Sequence, residues 1–365
     1  MTARQFYIML SLFVIMTKMQ RFPCLLFAEF GKDGYLIIFI YAIINLLLIF
    51  LAFFIYKHLN REKFKKNKFF IKLIKNFCLI ITSAYFFIQA LLLFEHVQNI
   101  FADTLFDRFS WAIFSLLFLF AVFYLAKTGI KNIALNFELF MIIIVGSISL
   151  ISVLGITHAD YSFILPLETI NLADFATKGF EFNVWFGDFF IILYMLFHTE
   201  KAKLSKTILC YGFSMLFLIF LTITFFGVYR DYTALQPGLI SSITEQSMLG
   251  MNIGRVDWFL ILFAEIGTIL SCGVCFYFSN KSMCAVLKNI KPLYIELAIA
   301  ILFYIMNVFV LVDKFIVKEF FFGFGAILSL SLKIIALVLF LIGAIKHYYQ
   351  KENRNMKETE NAEIL

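Results

Sequence analysis

Lys18 and Arg21 stand inside an otherwise apolar N-terminal stretch, surrounded by Thr17, Gln20 and Pro23. Ionisable side chains within apolar segments are costly in lipid and by default mark pathways or binding sites. Proline removes a backbone hydrogen bond and disfavours helix in the residue before it, so Thr17–Pro23 is expected to interrupt a helix. Two outcomes stand open: free backbone groups lining a cavity, or a helix ending near Thr17 with Lys18 and Arg21 snorkelling to the outer surface. A second interruption, Gly179-Phe180-Glu181-Phe182-Asn183-Val184-Trp185-Phe186-Gly187-Asp188, places two acids, an Asn and two glycines in another apolar stretch. Interrupted helices present half-helix dipoles and unpaired backbone groups to small charged ligands. The chemistry they suit is binding or transport of a small polar molecule. Glu265 and Lys333 lie deeper in later apolar runs, suited to pairing, to a wet cavity or to ion coupling. Glu138 and Glu296 read as reaching headgroups at the cytoplasmic surface, and Glu95-His96 as interfacial at the outer end of a span.

The elements that must hold these groups are apolar helices. Of the 365 residues, 62% are hydrophobic and only 15% charged, against about 45–50% and about 25% in soluble domains. Runs exceed the roughly 18 residues that mark a spanning segment, and backbone polar groups in lipid must be satisfied internally, so the runs are helices. Ten spans are expected over 5–28, 34–57, 74–98, 109–127, 137–156, 180–199, 207–229, 256–279, 293–312 and 320–345. Residues 1–345 form one integral membrane domain and 346–365 a polar cytoplasmic tail. The connection 57–75 collects eight Lys and Arg, which marks it as cytoplasmic. Alternation from that anchor gives 21 basic residues inside against seven outside, namely Lys32, Arg108, Lys178, Arg230, Arg255, Lys314 and Lys318. Both termini are thus expected in the cytoplasm. The interrupted helices are the first of each set of five spans, and an odd number of spans per half forces the halves into opposite orientation. Such an inverted repeat, with interruptions at matching places, is the sequence pointer to a transporter-like site. Leu239–Met251 is expected to form a short helix on the outer face.

Several classes are excluded. The chain holds no Walker-type, HExxH or GxSxG motif, so no enzyme and no cofactor is expected. Cys272 and Cys275 form a CxxC without a second Cys or His pair nearby, and read as small apolar filler rather than a redox or metal site. Anionic lipid and orientation account for the basic connection without nucleic acid. No cleavable signal peptide is evident, because Lys18 and Arg21 interrupt the first apolar stretch.

Gln5 through Pro23, Gly31-Lys32-Asp33-Gly34-Tyr35-Leu36, Ala126–Ala134, Ile164-Leu165-Pro166-Leu167, Phe182–Leu196 and Arg255-Val256-Asp257 follow one another in a particular order and spacing. In this the chain resembles the B-subunit family of spore-germination receptors (GerAB type), within the amino acid–polyamine–organocation (APC) transporter superfamily. The resemblance covers the chain to about residue 345. It implies an all-α, LeuT-like 5+5 fold in the bacterial cytoplasmic or spore inner membrane. It also implies a receptor subunit that senses a small nutrient, an amino acid, and works with A- and C-type partner subunits. Amides near Thr17, Lys18 and Gln20 would then hold a carboxylate, and Asn183, Asp188 or Glu181, beside Gly187, the amine. The chain departs from the family pattern where Lys18, Met19 and Gln20 replace small residues at the unwound position, and a bulky cation there stands in a zwitterion's place. Asp188 stands where the family often has Glu. Two other readings are a proton-coupled permease for amino acids or organic cations, working through Glu265 or Asp188, and a non-transporting structural subunit.

Overall fold

In the computed structural model, residues 1–59, 68–104, 111–165, 172–236, 238–248, 257–310, 323–335 and 337–338 are described. Among these residues the chain is helical throughout, with no strand. The helices are α1 (Ala3–Met16), α2 (Phe22–Phe30), α3 (Tyr35–Leu59), α4 (Lys68–Thr104), α5 (Trp111–Thr128), α6 (Ile130–His158), α7 (Leu172–Glu181), α8 (Asp188–Leu196), α9 (Leu204–Tyr229), α10 (Leu239–Met248), α11 (Asp257–Val286), α12 (Pro292–Ile305) and α13 (Gly323–Ile335). Residues 60–67 of the basic connection, Pro166-Leu167, Arg255-Val256 and the tail 346–365 lie outside the described residues.

Among the described residues seven segments are long and apolar enough to cross a membrane: Phe22–Lys57, Asn76–Gln98, Ile130–His158, Thr177–Leu196, Leu204–Leu235, Phe259–Val286 and Pro292–Phe309. Three shorter apolar helices, Ala3–Met16, Ala112–Thr128 and Gly323–Ile335, accompany them. The first of the seven contains a sharp turn at Gly31, whose φ of 59° is open to glycine at little cost, so it comprises α2 and α3.

Local sequence explains the helix ends that matter. Thr2 and Gln5 form a reciprocal capping box at the start of α1, with Thr2 Oγ1 accepting from the Gln5 amide at 3.2 Å and Gln5 Oε1 accepting from Thr2 at 3.1 Å. Pro23 sits in the first turn of α2, where its missing N–H costs nothing.

The core is largely apolar, yet large apolar side chains also cover the outside and a set of polar ones lies within. Leu47, Leu139, Ile142, Leu209 and Phe213 are exposed, while Asn45, Ser83, Ser214, Thr222, Thr268 and Ser279 are buried among the helices. Lipid supplies no hydrophobic drive between helices, so close packing and interhelical hydrogen bonds hold them. Between α4 and α11 the two serines do this reciprocally: Ser83 Oγ donates to the Ser279 carbonyl at 2.9 Å and Ser279 Oγ to the Ser83 carbonyl at 3.0 Å. Helix α11 packs on α4, α5 and α6; α1 lies against α6, α9 and α11; α3 lies against α8 and α9. Of the short helix expected over Leu239–Met251, residues 239–248 are helical as α10 and 249–251 lie outside the described residues; Leu239, Ile240 and Ile243 are buried, against α6, α9 and α11.

Candidate functional site

Both sequence interruptions are breaks in the helices. α1 ends at Met16, and residues 17–21 turn before α2 begins. Thr17 caps the first half, its hydroxyl donating to the carbonyls of Phe13 (2.9 Å) and Val14 (3.2 Å). On the far side the Gln20 carbonyl accepts from the amide of Leu239, the first residue of α10, at 3.1 Å. The second break is a 3₁₀ turn, Phe182–Phe186, between α7 and α8. Its freed carbonyls are taken up by neighbouring helices. Val184 O accepts from Gln89 Nε2 and Tyr85 OH on α4, and Asn183 O accepts from Ser329 Oγ on α13 at 2.9 Å. Gly187 follows the turn because Tyr85 leaves no room for a side chain: a Cβ there would lie 1.5 Å from the Tyr85 hydroxyl.

The two breaks meet. Lys18 Nζ lies 2.7 Å from Asp188 Oδ1, with exposures of 0% and 2%. The second oxygen, Asp188 Oδ2, accepts from Tyr211 OH of α9 at 3.0 Å, and Lys18 Nζ also reaches Thr17 Oγ1 at 3.2 Å. Of the two outcomes open for the first segment, snorkelling does not occur at Lys18, whose ammonium turns inward to the carboxylate. Asp188 is the reason: it opens α8 at the foot of the second break, in hydrogen-bonding reach.

Around this pair the other polar groups form separate contacts. Lys333 on α13 donates to Asn183 Oδ1, while Asn183 Nδ2 donates to the Ala326 carbonyl at 3.3 Å. Lys333 Nζ also sits 5.4 Å from the Tyr41 ring, and Lys18 Nζ 5.6 Å from Phe186, and those two rings stack at 4.3 Å with planes 4° apart. Gln20 Nε2 donates to Glu265 Oε1 on α11. Gln20 Oε1 and Glu265 Oε2 are buried with no hydrogen-bond partner among the described residues. Glu265 and Lys333 therefore join the two breaks separately rather than pairing with each other. Arg21 binds Glu95 of α4 at 2.6 Å, with His96 Nδ1 3.3 Å from the other carboxylate oxygen.

Of the residues singled out by sequence, Thr17, Lys18, Gln20, Asn183, Gly187, Asp188, Glu265 and Lys333 are thus brought to the two breaks. Glu181 is not: it lies half-buried at the end of α7, with no hydrogen bond or ion pair among the described residues. Sequence reasoning passed over Tyr41, Tyr85, Gln89 and Tyr211. A signal existed for Tyr85 and Gln89, which are spaced i, i+4 on one face of α4; Tyr41 and Tyr211 carry no such pattern. Cys272 and Cys275 are buried and free, with Cys272 Sγ 3.4 Å from the Ala90 carbonyl, and among the described residues no three His, Cys, Asp or Glu side chains cluster so as to hold a metal ion.

A membrane-embedded helical bundle in which two broken helices meet at a buried polar centre is built like a transporter. The chain belongs to the spore germination protein family, whose profile matches residues 1–316. Among curated proteins none matches it.

Proposed function

We propose that this protein is the transporter-like subunit of a nutrient germinant receptor, binding a small molecule of amino-acid size between the two broken helices. The observation that carries this reading is the Lys18–Asp188 pair: it joins the breaks through one buried contact, so a ligand that rearranges it acts on both halves at once. In this reading the chain crosses the membrane ten times with both termini inside, the three shorter apolar helices completing the count with the Gly31 turn dividing α2 from α3. The packing supports a 5+5 inverted repeat. Exchanging the halves maps the α3/α9 and α4/α11 pairs onto themselves, and both pairs are packed. The site is the spore inner membrane or the bacterial cytoplasmic membrane, and A- and C-type subunits are the partners that carry the signal onward.

The test is nutrient-triggered germination of spores carrying Asp188→Ala or Gly187→Leu, with membrane levels of the protein checked by immunoblot. Both variants abolish the response; a wild-type response from either one removes the site assignment. A second reading, a proton-coupled permease, is favoured by one observation, the buried Glu265 with its free oxygen beside the first break. Proton-driven uptake of labelled amino acids into proteoliposomes supports that reading, and no uptake across a broad panel removes it.

A further inference from the structure

Lys333 has no carboxylate partner among the described residues. Lys18, by contrast, pairs with Asp188 at 2.7 Å. Each oxygen of Asp188 is already engaged, one by Lys18 and the other by the Tyr211 hydroxyl. Among the described residues Lys333 has a neutral acceptor, the amide oxygen of Asn183, and the face of Tyr41. Glu265 is not its partner: it contacts Gln20, and no described cation lies within ion-pair distance of it. A cation in a membrane interior is costly without a counter-charge. The centre therefore offers, among the described residues, a lysine without a carboxylate partner, while both oxygens of the nearby Asp188 are occupied.

Resting on the site assignment above, we propose that this site binds an organic anion, a carboxylate without a free ammonium group. Lys18 supplies from the chain itself the cation that a zwitterionic ligand would bring, and it holds that cation against Asp188. The ligand carboxylate lies toward Lys333 and Lys18, beside the stacked Tyr41 and Phe186 rings, which offer an apolar wall to the remainder of the molecule. Lys18 thus determines specificity: it satisfies Asp188 in the empty site and repels a second ammonium.

The experiment uses the full chain, purified in detergent, and matched probe pairs that differ only in the α-ammonium: propionate with alanine, succinate with aspartate, 4-methylpentanoate with leucine, and 3-phenylpropionate with phenylalanine. Thermal stabilisation and equilibrium binding are read for each. In the wild type at least one carboxylate binds about tenfold or more tightly than its amino counterpart. Lys333→Gln, which keeps the Lys18–Asp188 pair, loses that binding by about tenfold or more. Lys18→Ala reverses the preference, because Asp188 then accepts the ammonium of the amino acid or of added ethylammonium. An amino acid binding the wild type as tightly as its carboxylate partner, or Lys333→Gln leaving carboxylate binding unchanged, overturns the proposal. If an amino acid binds the wild type and Asp188→Ala abolishes it, the site stands and the anion assignment falls. If no probe binds the wild type or Lys18→Ala, the site assignment falls with it.

Discussion

Lys18 and Asp188 are each other's partner at a depth where neither has water. Removing one member of a buried pair leaves an uncompensated charge and typically costs about 3–5 kcal/mol, whereas replacing both by apolar residues of similar size is often neutral or stabilising. Lys18→Met alone and Asp188→Leu alone are therefore expected to lower the apparent unfolding temperature in detergent sharply, and the double variant to recover most of the loss. A double variant as unstable as the worse single one would show that the two side chains are not coupled. Arg21, three residues after Lys18, behaves differently because Glu95 on α4 meets it nearer the bundle edge, where its side chain stays 30% exposed.

Broken helices persist only where other elements satisfy what the break frees, since an unpaired backbone group in lipid costs several kcal/mol. Here the service is divided: α10 donates to the first break, and α4 and α13 donate to the second. Outside the spans, a turn between α6 and α9 shows a titratable version of the same economy. Asp160 accepts from the Ser162 hydroxyl at 2.6 Å and the Ser162 amide at 3.0 Å, and pairs with Arg230 at 2.7 Å. The Ser162 bonds, with Arg230 beside them, hold the Asp160 carboxyl below its ordinary value of 3.8. A carboxyl depressed in the folded state adds stability above its unfolded value, and that contribution disappears as pH falls through the lower folded value. Hydrogen-exchange protection factors of residues 160–164, corrected for intrinsic rates, are expected to drop as pH falls below about 4. Asp160→Asn flattens that dependence, and a wild-type profile already flat would mean the turn is held by other contacts. The effect is small and salt-sensitive, because the carboxylate is solvent-exposed.

At the scale of the molecule, loop charge, exposed apolar faces and a buried ion pair describe one object: a membrane bundle with a few polar contacts at its centre. The proposed topology puts the α9–α10 connection outside and the α8–α9 connection inside. Single cysteines introduced at Tyr232 and Lys206, both exposed, test it in a background without the native six cysteines. A membrane-impermeant maleimide labels Tyr232→Cys in intact cells and Lys206→Cys only after permeabilisation. Labelling of both in intact cells, or the reverse order, overturns the topology.

Sequence by itself determined the helical class, the membrane setting and the two interruptions, because hydropathy, proline and embedded charge act locally along the chain. It also marked most of the side chains that the breaks gather, since a charged or amide group in an apolar run stands out wherever it points. It did not determine the partners. Whether Lys18 snorkelled or turned inward depended on Asp188, 170 residues away in sequence, arriving within hydrogen-bonding distance. Glu265 and Lys333 had equal claims on each other until packing sent one to Gln20 and the other to Asn183. Tyr41 and Tyr211 carried no signal, because a tyrosine in an apolar span is ordinary until its hydroxyl meets a partner on another helix. Tertiary structure alone decided these pairings, since each is a contact between helices whose relative placement no local pattern encodes.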